Sequence, residues 1–102
     1  MIIYIKLGIA FYNQGFFNVL KKDKPYFGKH QEKIKVKLGC NGQIAKYPSH
    51  INRKFNENET LSTYIGNEYT NWVQTKFRQG DAMKIEIVNP NSIILYAKGE
   101  EN

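Results

Sequence analysis

The sequence predicts a mainly β domain with one or two short helices, its strands curled into a small barrel. Three observations carry this. Residues 33–38 and 82–88 alternate apolar and polar side chains at the two-residue period of a strand. Asn41-Gly42, flanked by apolar residues, is the pair that tight hairpin turns favour. Only residues 67–77 carry apolar side chains at convincing helical spacing. At 102 residues the chain matches a single domain. Short strands in that length best avoid open edges by closing on themselves.

The elements follow in order. Residues 2–7 read as a strand with Ile3, Ile5 and Leu7 on one face, and residues 16–20 as a second. Between them, residues 8–15 are a polar loop. Pro25 and Gly28 make residues 21–30 a turn or a single helical turn. Residues 33–38 set Ile34, Val36 and Leu38 against Lys33, Lys35 and Lys37, and the Asn41-Gly42 turn leads into a strand over 43–47. Residues 48–59 form a long polar loop, a length more often functional than structural. Residues 60–65 are a fifth strand.

Asn67 is the expected N-cap of the helix, Glu68 suits its positive start, and Gly80 lies past its end. The helix plugs one barrel end with Trp72. Residues 82–88 and 93–97 close a hairpin around Asn89-Pro90-Asn91-Ser92. One domain thus spans 1–98, and 99–102 is a polar, frayed tail.

The chain carries +6, with pI near 9.4, and the charge is lopsided. Residues 1–56 hold eleven Lys/Arg against two acids, whereas 57–102 hold four against seven, so the halves stand at +9 and −3. Such asymmetry points to a polyanion. Codon bias towards lysine is the competing reading, since Lys outnumbers Arg thirteen to two. No apolar run approaches the roughly 20 residues of a membrane span, and the start lacks a signal-peptide pattern. The single Cys40 forms no internal disulfide. A cytoplasmic, reducing location is the expectation.

Catalytic signatures are missing. His30 and His50 are isolated, Cys40 has no CxxC partner, the acids are not spaced to hold a metal, and no phosphate-binding glycine loop occurs. The chain is therefore expected to be no enzyme by itself, with no cofactor and no metal. Binding features are richer. Lys33, Lys35 and Lys37 recur about every 7 Å along one strand face, near the phosphate spacing, although alternating lysine also keeps sheets soluble. Tyr12, Asn13 and Gln14 combine an aromatic with carboxamides of the type that pairs with adenine. Ser49, His50, Asn52, Arg53, Lys54 and Asn56 surround one of only two arginines, whose fork suits guanine or a phosphate. The competing reading is that Asn and Ser only satisfy turn backbones.

The order of elements, with Gly15-Phe16-Phe17-Asn18-Val19, the lysine hairpin, and a Trp72 helix followed by Arg78-Gln79-Gly80-Asp81 and a last hairpin, resembles a known family. It is similar to the B-three DNA-binding domain of plant transcription factors, and more so to its bacterial cousins, the target-recognition modules of restriction endonucleases. The resemblance covers about residues 2–97. It implies a seven-stranded open pseudobarrel of the DNA-binding type, gripping the major groove of double-stranded DNA. Two arms, here residues 8–14 and 47–58, would reach base edges. Tyr12, Asn13 and Gln14 would serve the first arm, and Ser49, His50, Asn52, Arg53, Lys54 and Asn56 the second. Lys21, Lys22 and Lys24 would touch phosphates. A nuclease domain or subunit outside this chain would complete a restriction-modification or related defence system. An RNA-binding pseudobarrel is the alternative. So is an interaction domain whose lysines only solubilise it.

Overall fold

Alternation sets the strands, and their burial follows it. The computed structural model describes residues 1–46, 49–54 and 60–100. Its strands are β1 (Ile2–Lys6), β2 (Phe16–Val19), β3 (Lys33–Leu38), β4 (Ser49–Asn52), β5 (Leu61–Tyr64), β6 (Ala82–Asn89) and β7 (Ser92–Tyr96). They form one sheet in the order β1-β6-β7-β3-β4-β5-β2, rolled into a nearly closed barrel. The unsealed seam lies between the end strands β1 and β2. Neighbours are antiparallel except β3 and β7, which pair in parallel. The open-pseudobarrel expectation therefore holds.

Inward positions are the apolar ones. Ile3 and Ile5 of β1, Val36 of β3, Ile85 of β6 and Leu95 of β7 are all at most 5% exposed. Two inward residues break the rule. Ser49 and Thr63 bury hydroxyls that have no hydrogen-bond partner. Such a group costs about 1–3 kcal/mol. Thr63→Val keeps the β-branched shape and is expected to add about 1 kcal/mol of stability in a urea titration. A loss would show that the hydroxyl is paired after all.

The helix α2 (Asn67–Lys76) closes one end, but not through Trp72. Tyr69 and Val73 are fully buried and Phe77 nearly so, whereas Trp72 is half-buried with its ring edge-on to Phe77. Positions 69, 73 and 77 stack at four-residue spacing, and position 72 falls at the stripe's edge. Burial pushes the Tyr69 phenol pKa upward, and its hydroxyl donates to the Phe11 carbonyl at 3.2 Å. The N-cap is Gly66, not Asn67. Its φ of 98° is a left-handed value that favours glycine, and its N–H donates to Gly15 O at 2.9 Å.

Two further expectations change. Of the strand expected over 43–47, the described residues 43–46 form none. Ile44 makes a single bridge to Lys37, and Ala45 N–H reaches Val36 O. The same edge of β3 is taken up again by Ser49 and His50 of β4, inside the stretch expected to be loop. Tyr47 and Pro48 lie outside the described residues. The polar sequence of β4 hid it, since Ile51 is its only apolar residue.

The tail is anchored as well. Glu100 Oε1 accepts the N–H groups of Cys40 and Ala97 at 2.9 and 2.8 Å. Burial raises the Glu100 pKa, but the N–H groups of Cys40, Ala97 and Asn41 outweigh it and hold the carboxyl below its usual 4.5. The stabilisation is thus complete above that value and is lost as pH falls through the lowered one. Glu100→Ala is expected to cost about 1 kcal/mol at pH 7, small because the half-buried carboxyl is still screened by solvent. It should also flatten acid-limb unfolding, measured as Tm against pH.

Candidate functional site

Antiparallel register decides which polar side chains share a surface. Phe16 of β2, Tyr64 of β5, His50 of β4 and Lys33 of β3 pair in one row across the barrel exterior. Asn18, Ser62 and Asn52 pair in the next, about 7 Å further along the strands, with Asn18 and Asn52 half-exposed and Ser62 between them fully buried. The residues between, Phe17, Thr63 and Ile51, turn inward and are fully buried.

The first row is a ladder of rings. Phe16 and Tyr64 stack with centroids 5.4 Å apart at 21°, and Tyr64 and His50 at 5.4 Å and 6°. Phe11 meets Phe16 edge-on at 5.6 Å. In the second row Ser62 Oγ donates to Asn18 Oδ1 at 2.6 Å. One face therefore offers aromatic edges and carboxamides side by side. The ladder escaped the sequence reading, because three separate strands each contribute one ring and only the register aligns them.

At the Phe16 end stands the expected first arm, and it is not an open loop. Residues Ile9–Asn13 form a short helix, α1, pinned against α2. The Tyr12 hydroxyl donates to Phe77 O at 2.9 Å while its ring packs on the core. Asn13 Oδ1 accepts from Gln74 Nε2 at 3.0 Å, and Asn13 Nδ2 donates to Ile9 O at 2.8 Å. Tyr12 and Asn13 are thus occupied within the fold. Gln14 is exposed. A tyrosine places its ring in the core and its hydroxyl on a nearby carbonyl, here at the end of α2.

The other end carries the second arm and a 3₁₀ helix, Lys21–Tyr26. Ser49 is 2% exposed and points into the barrel, so it is withdrawn as a contact residue. His50 is exposed in the ladder, Asn52 is half-exposed, and Asn52 Oδ1 accepts the Lys54 N–H at 3.0 Å. Asn56 lies outside the described residues.

Arg53 takes a different role from the one expected. Its Nε donates to Gly28 O at 2.7 Å, and its Nη2 to Lys24 O and Phe27 O at 3.0 and 2.9 Å. Its backbone N–H donates to His30 Nδ1 at 3.0 Å. The fork is spent on the carbonyls at the end of the 3₁₀ helix, which the sequence does not reveal because these partners lie 25 to 29 residues away. These bonds clamp the 3₁₀ helix to the end of β4 and engage Nε and Nη2 of the guanidinium.

That clamp keeps the lysines together. Lys21 and Lys22 are exposed and Lys24 half-exposed, with Lys22 Nζ 3.8 Å from the buried Asp23 carboxylate. Lys54 stands on the same end and Lys33 at the edge of the ladder. Lys35 and Lys37 pair instead along β7 and line a different hollow with Val88 and Ile94.

No group of three or more His, Cys, Asp or Glu able to hold a metal occurs among the described residues. No described helix is long and apolar enough to cross a membrane. No protein-family model matches the chain, and no curated protein matches it.

Proposed function

We propose that the protein is a double-stranded DNA-binding module whose reading surface is the outer face of β2, β5 and β4. In this reading it is the target-recognition part of a restriction-modification or related defence endonuclease, and the cleaving part is a separate domain or subunit. The observation that carries the proposal is the framing of one polar and aromatic face. Gln14 beside α1 stands at one end, and Lys54 with the 3₁₀ lysines at the other. A four-residue strand separates these ends by ~13 Å, on the scale of the ~12 Å major groove. Lysines at the rim supply sequence-independent phosphate contacts, and the carboxamides and His50 between them meet base edges.

Equilibrium binding to duplex DNA in a salt series tests this. Five rim lysines (Lys21, Lys22, Lys24, Lys33 and Lys54) set the slope of log K against log salt at about −4.5, at ~0.9 per phosphate. Selection from random duplexes should then return a defined site. Tighter binding to single-stranded RNA would favour the RNA reading, which the ring ladder also suits. Absence of salt-dependent binding to any polynucleotide would leave only an interaction domain.

A further inference from the structure

The ring ladder ends at His50. Tyr64 covers one face of the His50 ring. On the opposite side of β4 the row continues with Lys33, which brings no ring. Beyond Lys33 the pairing with β4 goes on, since Gln31 N–H donates to Ile51 O at 2.7 Å and Ile51 N–H to Glu32 O at 3.0 Å. His30 and Gln31 are thereby laid beside Asn52 and Arg53.

A cavity of about 330 Å³ opens there, lined by His30, Gln31, His50, Ile51, Asn52 and Lys54. This is the lower end of the ~300–1,000 Å³ of small-molecule sites. Its walls carry the His50 imidazole, the exposed Gln31 carboxamide, the Asn52 carboxamide that accepts the Lys54 N–H, and the Lys54 ammonium. His30 is oriented by the Arg53 N–H on its Nδ1, which puts the ring proton on Nε2 as a further donor. Gln31 has φ 67°, the one non-glycine residue with positive φ among the described residues. Strain of this kind persists where the surroundings impose it, and it gathers at ligand sites.

We infer that this cavity takes a single nucleobase swung out of the duplex, held against the His50 ring at the end of the Phe16–Tyr64–His50 ladder. Gln31 meets its hydrogen-bonding edge, and Lys54 meets the adjoining phosphate. The inference rests on the duplex-DNA reading above. A base that is already unpaired is cheapest to swing out.

The test uses two duplexes of one sequence, one fully paired and one with a single unpaired adenine, titrated by fluorescence anisotropy. Wild type should bind the second more tightly. His50→Ala should weaken that complex by about 5- to 100-fold, the range of one base–aromatic stack, and weaken the paired duplex, where His50 only meets a base edge, by clearly less. His50→Phe should restore the preference, because it restores a ring. Equal affinities for both duplexes, or a Phe variant as weak as the Ala variant, overturns the base site while leaving the duplex reading intact. Failure to bind either duplex overturns the duplex reading. Titration with adenosine 5′-monophosphate followed by NMR then decides the cavity: shifts centred on His30, Gln31 and His50 support it, and none overturns it.

Discussion

Arg53→Ala is expected to lower the unfolding free energy by about 3 kcal/mol, since charge-assisted hydrogen bonds contribute about 1.5–3 kcal/mol each and are not additive. The side chain donates to Gly28 O, Lys24 O and Phe27 O, and these carbonyls then lose their shared partner. Arg53→Lys should lose most of the same energy, because one ammonium on a flexible stem cannot reproduce a planar fork. Urea denaturation measures both. DNA binding separates this role from base reading. A clamp that fails should weaken all duplexes alike, with the 3₁₀ lysines no longer held in place. A lost base contact would leave stability intact and relax specificity at one position, by about 1–3 kcal/mol. That second outcome would sink the clamp assignment.

Removing rim charge should have the largest effect on affinity. The triple substitution of Lys22, Lys33 and Lys54 by Ala is expected to reduce the salt slope by nearly 3, at ~0.9 per phosphate contact. With the two affinities converging at about 1 M salt, this amounts at 50 mM to a loss on the order of 1,000-fold. All three side chains are exposed, so stability should hardly change. A matched pair, Lys76→Ala and Lys84→Ala, lies on α2 and β6, away from the β2–β5–β4 face. It should change the slope little. Equal slopes for the triple variant and wild type would move the DNA surface elsewhere.

Much of the fold was legible. Strict alternation in β1, β3 and β6 identified their faces, and the inward sets Ile3/Ile5, Ile34/Val36/Leu38 and Met83/Ile85/Ile87 are buried. Apolar spacing identifies the helix, although its N-cap is Gly66 rather than Asn67, and Trp72 packs at the margin of the core. β4 was read as loop because Ser49, His50, Ile51 and Asn52 carry too little apolar periodicity. Its strand state comes from the free edge of β3, a long-range cause.

The proposed face was legible in part. Composition picked out two polar segments, and these do flank one face. Residue type could not say which side chains remain available. Tyr12 is taken by Phe77 O, Ser49 is buried, and Arg53 is taken by three carbonyls. His50, Asn52, Lys54 and Gln14 remain on the surface.

By itself the sequence determined the fold class, most strand faces and the concentration of positive charge in residues 1–56. These depend on local periodicity and on composition, which neighbouring residues carry. Tertiary structure alone decided which polar groups are spent inside the fold, and it aligned Phe16, Tyr64 and His50 into one ladder. Those outcomes depend on cross-strand register and on hydrogen bonds between residues as far apart as Tyr12 and Phe77. Only the closed sheet brings such residues together.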